Sequence, residues 1–105
     1  MSFTVHDLEK RVQERAQASA DVSYTRRLLD RGVAHCAKKL GEEATEAMLA
    51  AVTEDRERLI AEAADLIYHL LVVLEARGIR LADVEAALAE RAQCSGLEEK
   101  ASRKG

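Results

Sequence analysis

Acidic residues recur at helical spacing in two neighbouring segments of the chain. Glu43 and Glu46 are three residues apart in the first segment, and Glu62 and Asp65 repeat that spacing in the second. Residues three or four apart lie on one face of an α-helix, so each pair presents two carboxylates to one side. The length of the intervening segment suits two antiparallel helices joined by a tight turn. The spacing therefore predicts that the two pairs face each other.

Four carboxylates converging in a partly buried space repel one another and require a compensating positive charge. The surroundings are not plainly solvated, because Glu62 lies among alanines and Asp65 is followed by an apolar run. Oxygen ligands favour Mg²⁺ or Mn²⁺ over zinc, which prefers histidine and cysteine. We therefore predict a Mg²⁺ site, with Mn²⁺ as the other ion that suits it, formed by Glu43, Glu46, Glu62 and Asp65.

A di-iron carboxylate site is a weaker interpretation of the same residues. Such sites use paired Glu-x-x-His motifs, whereas the nearby His69 follows Asp65 by four residues and has no second copy. We interpret His69 as a core histidine with satisfied hydrogen bonds.

Composition limits the classes of protein to which the chain can belong. With 105 residues it forms a single domain, and 48% apolar content is enough for a core. Only 3% of the residues are aromatic and none is proline, which favours helices over sheets. A net charge of -3 argues against non-specific nucleic-acid binding. No apolar run is long enough for a membrane span, and two unpatterned cysteines indicate a reduced, cytoplasmic protein.

The positions of apolar residues, caps and glycines predict five helices. Ser23 is placed to cap the second helix and Gly32 to end it, while residues 53–55 resemble a cap and Gly78 ends the fourth helix. On the third helix we expect Leu40, Ala44, Ala47, Met48 and Ala51 to face inward. The predicted bounds are 4–18, a short helix starting at 23, 33–52, 55–77 and 80–93.

The fourth predicted helix is apolar on nearly every side between residues 66 and 74. Such a helix must be buried all round, and a monomer of this size can hardly cover it. We predict an all-α bundle of about four to five helices completed by homodimerisation. The tail, 95–105, has little apolar content and is expected to be mobile until a ligand binds.

These motifs together resemble a known family. The acidic motifs at 42–46 and 62–65 are similar to those of the MazG-type all-α nucleoside-triphosphate pyrophosphohydrolases. The segment Ser-Tyr-Thr at 23–25, the run at 39–46, the run at 62–69 and the tail at 95–103 resemble the phosphoribosyl-ATP pyrophosphohydrolases (HisE) of histidine biosynthesis. Where members of that family often carry proline or glycine before Ser-Tyr-Thr, this chain has Ala20, Asp21 and Val22.

The resemblance implies hydrolysis of phosphoribosyl-ATP to phosphoribosyl-AMP and pyrophosphate in a Mg²⁺-dependent homodimer, with the next pathway step performed by a separate cyclohydrolase. Phosphoanhydride cleavage gathers negative charge that the enzyme must position and neutralise. Glu43, Glu46, Glu62 and Asp65 would be metal ligands, and Glu42 is expected to orient or deprotonate water. The residues expected to bind substrate are Ser23, Tyr24, Thr25, Lys39, Lys100 and Arg103.

Two other functions are compatible with the same sequence. A housekeeping pyrophosphatase would use the same carboxylates on free nucleotides such as dCTP or dUTP. A non-catalytic helical dimerisation module would leave those carboxylates solvated and would gain no stability from Mg²⁺.

Overall fold

The computed structural model describes residues 2–53 and 55–93, which form five α-helices and, within those ranges, no strand. The all-α prediction is confirmed, and each observed helix lies within a few residues of its predicted position. None of these helices combines the length and the apolar character that a membrane crossing requires. The helices are α1 (Val5–Ala16), α2 (Tyr24–Asp30), α3 (Val33–Thr53), α4 (Arg56–Ala76) and α5 (Leu81–Arg91).

Local side-chain chemistry fixes the helix ends that the sequence predicted. The Ser23 hydroxyl accepts a hydrogen bond from the Arg26 amide at 3.0 Å and caps α2. The Asp55 carboxylate accepts one from the Arg58 amide at 2.9 Å and caps α4. Gly32 and Gly78 follow α2 and α4 with φ of +94° and +69°, a backbone conformation that favours glycine.

Helices α3 and α4 form an antiparallel hairpin with the most extensive helix–helix contact in the described chain. Its core lies at the open end of the hairpin, away from the turn between α3 and α4, where α1 and α2 cover it. The buried residues of this core are Val12, Leu28, Cys36, Leu71 and Val72. The open end is therefore held together within one chain, whereas neither α1 nor α2 contributes to a core at the turn end in the part of the chain that the structure describes.

The inward face of α3 differs in part from the prediction. Leu40 and Ala47 are partly buried, as expected, but Ala44, Met48 and Ala51 are exposed. The row facing α4 consists of Cys36, Leu40, Glu43, Ala47 and Ala50. Those positions follow one another at three- or four-residue steps, so they share one helical face. The prediction is wrong for Ala44, Met48 and Ala51 within a single chain, because α4 packs against the row that contains Glu43.

Helix α5 is attached to α1 mainly through polar contacts. The Leu81 amide donates to Glu9 Oε2 at 2.7 Å, and His6 Nε2 lies 2.8 Å from Glu85 Oε2. None of the residues of α5 is fully buried. Its first residue, Leu81, is partly buried and packs against the apolar core.

Replacing Val72 by alanine tests the core at the open end. Its side chain is fully buried at 0% exposure, so the free energy of unfolding should fall by about 2 kcal/mol, given about 0.8 kcal/mol per buried methyl plus a cavity contribution. Val22→Ala removes the same atoms from a residue that is 76% exposed and should change this free energy by less than about 0.5 kcal/mol. Urea denaturation followed by circular dichroism measures both. Equal losses would show that this core does not hold the fold.

Candidate active site

Three carboxylates converge midway along the α3–α4 hairpin. Oxygen atoms of Glu43, Glu62 and Asp65 all lie within 4.8 Å of one another. Glu43 belongs to the inward row of α3, and Glu62 and Asp65 are three residues apart on the facing side of α4. Glu62 is only 8% exposed, whereas Asp65 lies at the surface. The cluster is thus anchored in the helix interface and open to solvent on one side.

Glu46 lies beside this cluster and is linked to it by an arginine. Arg58 Nη2 is 3.0 Å from Glu62 Oε2 and 4.0 Å from Glu46 Oε1. Glu46 is exposed and is not one of the three converging carboxylates. The arginine supplies part of the positive charge that the buried Glu62 requires. Arg58 was not among the predicted site residues, although its position four residues before Glu62 on one helix indicates such a pair.

Lys39 and Glu42 form an ion pair one turn before the cluster on α3. Their Nζ and Oε1 atoms are 3.2 Å apart. The hydrogen bond between them raises the pKa of Lys39 and lowers the pKa of Glu42. Both groups therefore stay charged at neutral pH. The pair places a cation and a carboxylate outside the cluster of three next to Glu43.

The Ser-Tyr-Thr segment divides into two buried residues and one exposed residue. The Ser23 hydroxyl donates to the Arg15 carbonyl at 2.8 Å while it caps α2, so its hydrogen-bonding capacity is used within the fold. The Thr25 hydroxyl is 2.6 Å from the Tyr68 hydroxyl and is likewise buried. Only Tyr24, at 53% exposure, faces a surface that a ligand can reach. Lys100 and Arg103 lie outside the described residues.

His69 lies next to the carboxylates and has an unsatisfied nitrogen. It is 7% exposed, and its Nδ1 has no hydrogen-bond partner among the described residues. Its ring meets that of Tyr68 edge to face at 5.0 Å. Burial lowers the pKa of His69, and the opposing attraction of Glu43 is smaller. The imidazole is therefore the core residue that the sequence predicted, but its hydrogen bonds are not all satisfied.

A basic cleft of about 420 Å³ lies between α2 and α3, beside Lys39. Most of its lining residues were not predicted to have a role, although the basic side chains recur at four-residue intervals, from Arg27 to Arg31 and from His35 to Lys39. Only the fold shows that the two rows face each other. The lining residues are Tyr24, Arg27, Leu28, Arg31, His35 and Lys39.

An all-α hairpin with carboxylates converging from both helices fits the all-α nucleoside-triphosphate pyrophosphohydrolases that the acidic motifs resemble. Comparison with known proteins narrows this class. The profile of a family described as phosphoribosyl-ATP pyrophosphohydrolase matches residues 5–92. The chain belongs to that family. The recognition from its motifs is confirmed, and with it the assignment as a hydrolase of histidine biosynthesis.

Individual relatives match along almost the whole chain. Phosphoribosyl-ATP pyrophosphatase 1 of Bradyrhizobium diazoefficiens is 63% identical over 102 residues, which cover 97% of this chain and 96% of the relative. Phosphoribosyl-ATP pyrophosphatase of Nitrobacter winogradskyi is 60% identical over 101 residues, covering 96% and 87%. The corresponding protein of Rhizobium meliloti is 52% identical over 101 residues, covering 96% and 94%. The similarity thus extends over both helices of the hairpin.

Buried His69 gives the stability of the metal-free protein a pH dependence. Because its pKa lies below the usual 6.5 in the folded state, the unfolded chain binds more protons between the lowered value and 6.5. The free energy of unfolding should therefore fall as the pH drops below about 6.5. Urea denaturation at pH values on either side of that point measures the fall. In His69→Gln, whose side chain does not titrate, the fall should be smaller, and an equal fall would assign it to other groups.

Proposed function

We propose that this chain hydrolyses phosphoribosyl-ATP to phosphoribosyl-AMP and pyrophosphate, by attack of water on the triphosphate. The observation that carries the proposal is the convergence of Glu43, Glu62 and Asp65 within 4.8 Å on the hairpin of a member of this family. Hydrolysis of a phosphoanhydride needs its charge neutralised and a water molecule oriented in line with the leaving group. The chain offers residues for both tasks.

The donor set fits a hard divalent cation. All three clustered ligands are carboxylates, and oxygens on opposite sides of one Mg²⁺ are about 4 Å apart, since each metal–oxygen distance is about 2.1 Å. The observed spacing of 4.8 Å or less needs only small side-chain adjustments. Glu43, Glu62 and Asp65 would hold Mg²⁺ or Mn²⁺, with Glu46 as a further ligand at the rim. A bound cation would neutralise charge on the phosphate oxygens.

The Lys39–Glu42 pair connects substrate binding with water activation. A phosphate oxygen is a strong acceptor for the Lys39 ammonium, so a bound triphosphate would compete with Glu42 for this lysine. Glu42 would then be free to accept a hydrogen bond from the attacking water and orient it. Tyr24, exposed on the adjoining surface, would contact the ribose or the base. Lys100 and Arg103 are proposed to close over the bound phosphates.

Replacing Glu62 by glutamine tests the metal site, because it removes one charge and keeps the shape. Pyrophosphate release from phosphoribosyl-ATP should fall by at least about 100-fold. Stabilisation by Mg²⁺, about 2.7 kcal/mol at a hundredfold excess over Kd, should be lost in thermal denaturation. Glu57→Gln is the matched control, since Glu57 lies on the same helix with its side chain 80% exposed.

Two results would contradict this proposal in different ways. Full activity and full Mg²⁺ stabilisation in Glu62→Gln would remove Glu62 from the site. Turnover of dCTP or dUTP by the unaltered protein, without turnover of phosphoribosyl-ATP, would retain the carboxylate site and overturn the substrate.

We further propose that two copies of the chain pair through the turn end of the hairpin. Met48 and Val52 lie one turn apart on α3 and are 59% and 75% exposed, and Ile60 near the start of α4 is 52% exposed. Monomeric proteins seldom expose large contiguous apolar surface. A second copy would cover it with the same patch, as a two-fold symmetric pair requires.

Met48→Glu tests this pairing by placing a charge in the apolar patch. The unaltered protein should sediment as a dimer at micromolar concentration, and the variant should sediment largely as a monomer because an unpaired buried charge is costly. Val22→Glu places the same charge on an exposed residue of the α1–α2 connection, remote from the hairpin turn, and should leave the dimer intact. A monomeric unaltered protein would overturn the proposal.

We also propose a cytoplasmic location. Cys36 is a free thiol in the core, and burial raises its pKa, which keeps it unreactive. A free thiol stays reduced in a reducing compartment such as the cytoplasm.

A further inference from the structure

The basic cleft between α2 and α3 contains more positive charge than its neighbours neutralise. Arg31, at the end of α2, has no acidic side chain within 4.0 Å among the described residues. The Arg27 guanidinium donates to the Ala20 and Asp21 carbonyls, which fix its position but leave its charge uncompensated. Of the cationic side chains that line the cleft, only Lys39 has a carboxylate partner within residues 2–53 and 55–93, namely Glu42. The cleft is therefore built to receive an anion.

The electrostatic potential inside the cleft is also positive. His35 lines it, and the pKa of His35 is lowered by desolvation and then by the positive charges of Arg31, Lys38 and Lys39, with only the attraction of Glu42 opposing them. Because Arg31, Lys38 and Lys39 add to the lowering that desolvation causes, their charges make the potential at His35 positive. An anion entering the cleft would relieve the mutual repulsion of these cations.

The position of the cleft relates it to the carboxylate cluster. Lys39 lies one helical turn before Glu43, and His35 lies one turn farther away, about 6 Å and about 12 Å along the axis of α3. The cleft is thus near enough to hold another part of a ligand whose triphosphate lies at the carboxylates. It is distinct from the cluster, because Glu43, Glu62 and Asp65 do not line it.

The proposed substrate carries two anionic groups of different chemistry. One is the triphosphate, and the other is the phosphate monoester of the ribosyl group attached to the nucleotide. An ordinary nucleoside triphosphate lacks the second group. A guanidinium binds a phosphate monoester with parallel charge-assisted hydrogen bonds, and an unpaired arginine is the residue most suited to that task.

We infer that the cleft between α2 and α3 binds the phosphate of the ribosyl group, with Arg31 as its principal donor and His35 along its wall. This inference rests on the proposed function. It assigns to the cleft the preference for phosphoribosyl-ATP over nucleoside triphosphates that lack a second phosphate. Arg31 is then a specificity-determining residue, since it contacts a part of the substrate that does not react.

Binding of the product tests this inference without any chemical step. Phosphoribosyl-AMP and AMP differ only by the phosphoribosyl group, so the ratio of their dissociation constants, measured by calorimetry on the full chain, isolates that group. Arg31→Gln should weaken binding of phosphoribosyl-AMP by about 10- to 100-fold, the value of a charge-assisted hydrogen bond, and leave AMP unchanged. Arg56→Gln makes the same substitution at an 81% exposed side chain on α4 and should alter neither constant.

The outcomes distinguish which phosphate of the ligand the cleft binds. Equal weakening of phosphoribosyl-AMP and AMP in Arg31→Gln would assign the cleft to the phosphate they share and overturn the inference. No weakening of either would remove Arg31 from the site. Weakening of phosphoribosyl-AMP alone, even in a preparation that does not hydrolyse phosphoribosyl-ATP, would support the cleft assignment and locate the failure in the proposed reaction. Arg31 is exposed at the end of α2, so its replacement should not prevent folding.

Discussion

The antiparallel contact between α3 and α4 positions the three carboxylates on which the candidate site depends. The inward row of α3 is uncharged except at Glu43. Facing it on α4 is Glu62, which is 8% exposed. Carboxylates in a helix interface destabilise it unless positive charge compensates them. Arg58 provides part of that compensation at 3.0 Å from Glu62. The middle of the hairpin therefore contains charged side chains that neutralise one another where apolar side chains would otherwise pack.

This arrangement divides the hairpin into three parts with different roles. The apolar core around Val72 joins the open end to α1 and α2 within one chain. The carboxylates occupy the middle, and exposed apolar side chains such as Met48 and Val52 surround the turn. The core holds the helix axes at one end, and the proposed subunit contact would hold them at the other. Rigid support on both sides is what a site with three converging ligands requires.

Opposite charges lie next to each other along α3. His35 and Lys39 face the basic cleft, and Glu42 and Glu43 follow within the next turn. A polyanionic nucleotide requires both features, because its phosphates bind cationic side chains directly and bind carboxylates only through a cation. The net charge of -3 conceals this arrangement, since the composition averages over two regions of opposite sign.

The sequence by itself determined the five helices, because helix ends depend on neighbouring residues. Ser23 and Asp55 cap the starts of α2 and α4, and Gly32 and Gly78 follow their ends. These local features involve residues only a few positions apart. It also determined that Glu62 and Asp65 share a face, since three-residue spacing on a helix guarantees it.

Only the tertiary structure decided which face of α3 meets α4, and so which carboxylates converge. Met48 and Glu43 are both plausible inward residues by periodicity, and the packing selected Glu43. The fold likewise buried Ser23 and Thr25, brought Arg58 of α4 near Glu46 of α3 and placed Arg31 and Lys39 along one cleft. These outcomes join residues on different helices. The relative rotation and offset of two helices arise from the fit of all their side chains at once, which no local spacing specifies.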